Sequence, residues 1–119
     1  MTYPTRIALI IVSAAAMASL ASAEPAPPAL PTNIVLTLKG HRFEPAKVMV
    51  PTGQRIRVQV VNQDATGDEF ESEDLHVEKE VEPHGKIVFQ VGPLTPGSYA
   101  FKGDLYPSTA TGVLVAVAQ

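Results

Sequence analysis

The chain has 119 residues with 45% hydrophobic side chains, nine Lys/Arg against twelve Asp/Glu, and no cysteine or tryptophan. One domain with a modest core is the natural product of that length, and the net charge of −3 argues against a nucleic-acid partner, whose phosphates would repel it. Without cysteine there is no disulfide, no thiolate nucleophile, no iron–sulfur cluster and no thiolate ligand for copper.

The first thirty residues read as a precursor segment. Arg6 is followed by an apolar run from Ile7 to about Leu20, then by the small-residue motif Ala21-Ser22-Ala23. This is the pattern of a secretory signal peptide over residues 1–23, cleaved after Ala23. The run is short against the about 20 apolar residues of a membrane span, so the cleaved chain is expected not to span a membrane. Loss of Arg6 would leave eight cationic residues against twelve acidic ones, a charge of −4. Export to a bacterial periplasm or cell exterior is the expected destination. Residues 24–32 contain EPAPPALP, a stiff proline-rich lead-in.

Residues 33–119 then carry strand patterns separated by turn signals. Asn33–Leu38 (NIVLTL) is a β-branched run, and Ala46–Val50 (AKVMV) a second, with Met49 expected in the core. Pro51-Thr52-Gly53-Gln54 marks a turn. Arg55–Val61 alternates cleanly, with Ile56, Val58 and Val60 on one side and Arg55, Arg57 and Gln59 on the other, as in a strand with one wet face. Residues 62–68 read as a loop, and Glu69–Asp74 (EFESED) as the one plausible helical turn, with Phe70 a core anchor and Leu75 a plug. Further strands fall at His76–Val81, Ile87–Val91, Ser98–Lys102 and Val113–Ala118, with Pro83-His84-Gly85 and the Gly92–Gly97 connector between them. About seven short strands in fewer than 100 residues predict an all-β sandwich, because one alternating sheet leaves an apolar face that a second must cover. A five-stranded barrel of the oligonucleotide-binding type is the structural alternative.

The stretches FEPAKVMVPTGQRIRVQVVNQD, EFESEDLHVEK, VGPLTPGSYAFKGD and TATGVLVAV resemble the cupredoxin-like domains associated with bacterial high-affinity iron permeases. The resemblance runs from Phe43 to Ala118 and implies a Greek-key β-sandwich of about seven strands. It also implies a periplasmic role in iron uptake, with an inner-membrane iron permease or a periplasmic iron-binding protein as partner, and an accessory part in oxidising ferrous iron. Blue-copper relatives place Cys, His and usually Met in the loop before the last strand. The matching loop here, Tyr99–Gly112, has none of them, and Gly103 stands near the place expected for the cysteine, which excludes a type 1 copper site built by this chain. Tyr106 stands where the iron-associated group often has histidine.

Nine acidic residues crowd Asp64–Glu82 against Lys79 alone. A bound cation would relieve their repulsion, and hard carboxylate oxygens suit iron and favour the ferric state. The alternative is a solvated acidic surface. Glu69 and Glu71 share a side only if the segment is extended. Glu78 is the preferred single carboxylate. His76, two residues before it, would face the same way in an extended segment and complete a short-range metal pair. His41 is expected to reach the same end of the sandwich as His76, and His84 to lie at the other. Asp104 and Tyr106 complete the candidate set, on the loop where cupredoxins keep their ligands. The metal expected for such a site is iron or copper. Three functions follow: a metal-binding protein of iron uptake that assists ferrous oxidation, a metal chaperone without redox turnover, or a metal-free scaffold for a protein partner. No HExxH, nucleophile elbow or phosphate loop is present, so hydrolase chemistry has no support.

Overall fold

The computed structural model describes residues 1–4, 8–17 and 28–119. Arg6 and the Ala21-Ser22-Ala23 motif, on which the leader expectation rests, lie outside the described residues. No helix among the described residues is long and apolar enough to cross a membrane.

Nine strands form: β1 (Asn33–Lys39), β2 (Arg42–Glu44), β3 (Lys47–Pro51), β4 (Ile56–Asn62), β5 (Asp68–Ser72), β6 (Val77–Val81), β7 (Lys86–Val91), β8 (Gly97–Gly103) and β9 (Thr111–Val117). They make a four-stranded sheet in the order β2-β1-β4-β7 and a five-stranded sheet in the order β3-β9-β8-β5-β6. Pairings are antiparallel except β1 with β4 and β3 with β9. The sandwich is therefore mixed, and the predicted all-β architecture holds with two more strands than the sequence pattern suggested. β2 is only three residues long and too brief to show a period. β5 replaces the expected helical turn.

Alternation explains most of the core. Ile34, Leu36 and Leu38 of β1 face Ile56, Val58 and Val60 of β4 along one buried layer. From the second sheet come Val50, Phe70, Phe101, Leu114 and Ala116. All four phenylalanines of the chain meet between the sheets, with ring centroids 5.0–5.9 Å apart for Phe43–Phe70, Phe43–Phe101, Phe70–Phe89 and Phe70–Phe101. Tilted and edge-to-face contacts at these separations add to their area burial. Met49 is not part of this layer. It is 46% exposed, because Val48 and Val50 take the inward positions of β3 and the pleat turns Met49 outward.

One buried polar side chain ties the sheets' loops together. Asn62, 1% exposed at the end of β4, donates through Nδ2 to the carbonyls of Thr66 (2.9 Å) and Glu82 (3.1 Å), and its Oδ1 accepts from the Asp64 N–H (2.9 Å). Every polar atom of the amide is satisfied, which is the condition for burying it without penalty.

Gly112 shows how tightly the aromatic layer is closed. A Cβ there would collide with the Phe101 ring and lie 2.8 Å from the Ala46 carbonyl oxygen. Gly112→Ala should destabilise the domain by about 1–3 kcal/mol through overpacking, measured as a lowered midpoint in urea with an unchanged m-value.

Candidate metal centre

Burial of Phe70, which is 2% exposed, sets the site. β5 reads Asp68, Glu69, Phe70, Glu71, Ser72, with positions 68, 70 and 72 buried and 69 and 71 half-buried on the outer face. The sequence pattern missed this strand because two of its three inward residues are polar. Both are held. Ser72 Oγ donates to the Ala100 carbonyl (2.6 Å) and accepts from the Leu75 N–H (3.0 Å), and Asp68 Oδ1 accepts from Glu69 N–H (2.7 Å) and Leu105 N–H (3.1 Å).

On the outer face the register does the rest. Glu71 is paired with Glu78 of β6 and with Lys102 of β8, and Glu69 with Glu80. Asp104 follows β8 directly, and its N–H donates to the Glu69 carbonyl at 2.8 Å. One carboxylate oxygen from each of Glu69, Glu71 and Asp104 lies within 4.8 Å of the others. That spacing allows three hard donors to converge on one cation. Lys102 Nζ stands 3.7 Å from Asp104 Oδ1, a half-exposed ion pair at the rim that contributes little to stability.

The electrostatics record the crowding. Glu69 is pushed up to about 7, first by a proton shared with the Glu78 carboxylate and then by desolvation and the nearby charges of Glu78, Asp104 and Glu71. Glu71 is raised in the same direction, first through a hydrogen-bonded contact with Asp104. Carboxylates this close cannot all ionise at no cost, so the outer face either retains a proton or takes up positive charge from solution.

The histidines fall elsewhere. All three adopt left-handed backbone conformations, with φ of 56° at His41, 57° at His76 and 53° at His84, a region in which histidine is enriched among non-glycine residues. His76 closes the β5–β6 hairpin, donating its N–H to the Glu73 carbonyl (3.2 Å), so it is not in the extended segment expected of it. It still shares a shallow cavity of about 310 Å³ with Glu71, Glu73 and Glu78, although it is not among the side chains converging within 4.8 Å.

His41 lies at the opposite end of the sandwich, contrary to expectation. The far end of β6 continues into Glu82, whose carbonyl is bonded to Asn62, and His41 sits beside Asp64 just past that asparagine, its Nδ1 3.6 Å from Asp64 Oδ2. The N–H groups of His41 (3.0 Å) and Gly40 (2.7 Å) also donate to the Asp64 carboxylate, and the His41 bond above all holds that carboxyl below its usual range. His84 joins this end too, its N–H on the Asp64 carbonyl at 3.0 Å. The Tyr106 ring stacks on His41 with centroids 3.6 Å apart and planes 17° from parallel. His41 and Tyr106 are thus brought to each other, outside the converging carboxylates.

A carboxyl whose folded pKa is raised binds more protons in the folded than in the unfolded chain between its ordinary value of 4.5 and about 7. Its contribution to stability is present below that window and falls as pH rises through it. Glu69→Gln should therefore raise the thermal midpoint of the metal-free domain at about pH 8, with the gain vanishing by about pH 4, as read by circular dichroism melts across that range.

Comparison with known proteins places the fold. The family described as cupredoxin-like domain matches residues 7–116. An uncharacterised protein of Rickettsia prowazekii (strain Madrid E) is 44% identical over 83 residues, which is 70% of this chain and 66% of that protein. The chain thus spans just under two thirds of that relative's length. Among solved structures, the metal-binding domain of the Streptococcus pneumoniae D39 Cu(I)-exporting P-type ATPase CopA, with Cu(I), superposes with a TM-score of 0.62 at 14% identity, covering 71% of this chain and 84% of that one. Reduced auracyanin from Roseiflexus castenholzii gives 0.61 at 18% identity, covering 74% and 98%. The two structures share the sandwich with this chain, and the family match over most of its length shows that this chain belongs to the cupredoxin-like domain family.

Proposed function

We propose that this chain is an exported cupredoxin-like metal-binding protein that handles iron in bacterial uptake, holding the ion as cargo on the outer face of its five-stranded sheet. The observation that carries the reading is the convergence of Glu69, Glu71 and Asp104 within 4.8 Å, with Glu78 paired to Glu71 across the neighbouring strand. Three or four oxygen donors fit a hard cation. They do not fit a type 1 copper centre, for which the chain has no thiolate to offer. Copper(II) bound through carboxylates, with His76 swinging in from the adjoining cavity, is the alternative cargo.

An anionic, oxygen-rich pocket stabilises Fe(III) over Fe(II). It therefore lowers the potential of the bound ion and favours loss of one electron per iron, with dioxygen as the acceptor. The leader over residues 1–23 would deliver the protein to the periplasm, with an inner-membrane iron permease or a periplasmic iron-binding protein receiving the ion. The exposure of Asp104 and the absence of histidine from the converging set among the described residues favour a second reading, an ion buffer or chaperone that passes its cargo on without turnover.

The metal-free domain should bind Fe(II), under anaerobic conditions, or Cu(II) with one-to-one stoichiometry in calorimetric titration. Glu71→Gln with Asp104→Asn should weaken that binding by at least about tenfold. Oxygen uptake on adding Fe(II) in air marks the oxidising role, and binding without uptake marks the buffer. Absence of stoichiometric binding would overturn both and leave a scaffold for a protein partner.

A further inference from the structure

The loop between β8 and β9 supplies Asp104, yet most of its own hydrogen bonds are internal. Gly103 N–H donates to the Ala110 carbonyl (2.8 Å), Tyr106 N–H to Gly103 (3.1 Å) and Ala110 N–H to Tyr106 (2.9 Å). Such a loop is coherent in itself, but something must fix it against β5, where Glu69 and Glu71 stand. Two bonds cross that gap on either side of the Asp104 side chain. One is Asp104 N–H to the Glu69 carbonyl, 2.8 Å. The other is Leu105 N–H to Asp68 Oδ1, 3.1 Å.

Asp68 is an unexpected residue to find here. It points inward from β5 and is 5% exposed. Oδ1 takes both Glu69 N–H and Leu105 N–H, whereas Oδ2 is buried with no hydrogen-bond partner among the described residues. A carboxylate oxygen buried in that state is costly, and the Leu105 and Glu69 N–H groups on Oδ1 offset that cost. The space it occupies also exists only because residue 103 is glycine. A Cβ there would collide with Asp68 Oδ2 and lie 2.8 Å from its Cγ and 2.9 Å from the Ala110 Cβ.

From this geometry we infer that Asp68 is a positioning residue, which clamps the start of the β8–β9 loop onto β5 and so holds the Asp104 carboxylate against Glu69 and Glu71. Asp68 and Gly103 act as one unit. The absent side chain at Gly103 lets the carboxylate reach under the loop, and the carboxylate captures Leu105 N–H, one residue past Asp104. The consequence for cation binding rests on the reading of the acidic face given above, while the clamp itself is a statement about the loop.

The test separates the two. Asp68→Ala removes the acceptor, Asp68→Asn keeps an oxygen for Leu105 N–H, and Gly103→Ala displaces the carboxylate without changing it. Cu(II) affinity of the folded domain should fall by about 10–100-fold in Asp68→Ala and Gly103→Ala, the range for residues that orient metal ligands, and by no more than about threefold in Asp68→Asn. Amide exchange at Leu105 and Asp104, followed by NMR without metal, should accelerate in the first two variants and stay slow in the third. A merely structural role would lower the melting temperature while leaving the affinity of the folded protein unchanged, and that result would overturn the inference. So would equal loss of affinity in Asp68→Asn, since charge and not the clamp would then be responsible. Should the unsubstituted domain bind no cation, the reading of the acidic face fails alone, and unaltered Leu105 exchange in Asp68→Ala would remove the clamp as well.

Discussion

The burial of Phe70 between the sheets is the contact from which the rest of the acidic face follows. Its ring touches three other phenylalanines and cannot leave the core without opening a cavity of several kcal/mol, on the order of 3–5 for loss of a buried phenylalanine. In a strand, side chains alternate between faces. Fixing Phe70 inward therefore forces Glu69 and Glu71 outward, onto one side and close together. The aromatic core supplies the free energy that holds like charges in proximity, and close contact with Glu78 and Asp104 raises the Glu69 and Glu71 carboxyls there.

The same pairing distributes charge unevenly over the sandwich. Register places Glu69, Glu71, Glu78 and Glu80 on the outer face of the five-stranded sheet, relieved by Lys102. Lys39, Arg42, Arg57 and Lys86 fall on the outer face of the four-stranded one, with Glu44. A chain whose formal charge is only −3 thereby presents one strongly anionic face. Local field, and not net charge, is what a cation meets.

The end of the sandwich around the β8–β9 loop is organised by contacts from β5, from the β1–β2 turn and from the Asp64 loop. Asp68 reaches the loop from beneath, where Gly103 leaves room for it. Tyr106 lies flat on His41, joining that loop to the β1–β2 turn, and Asp64 collects the N–H groups of the turn itself. Backbone hydrogen bonds, one carboxylate and one ring stack thus fix the loop, and the carboxylates that could take a cation stand outside the sandwich on the sheet.

Much of this was legible in the sequence. Period-two alternation over Arg55–Val61 and the apolar runs around it identified the sandwich and its principal core strands, since burial on one face of a pleated strand leaves that signature regardless of context. The density of acidic residues and the absence of cysteine set the donor chemistry in the same way. Tertiary structure decided which donors meet. β5 was hidden because its inward positions Asp68 and Ser72 are polar, and only partners 28 and 37 residues away, Ala100 and Leu105, make their burial tolerable. His76 and His41 depart from expectation because each sits in a left-handed turn, where spacing along the chain no longer predicts facing, whereas His84 lies at the end opposite His76 as its turn suggested. Asp104 came to Glu69 and Glu71 through the β5–β8 pairing, a contact between segments distant in sequence. Composition and local periodicity are properties of neighbouring residues, whereas the convergence of carboxylates is a property of strand register, which only the folded chain possesses.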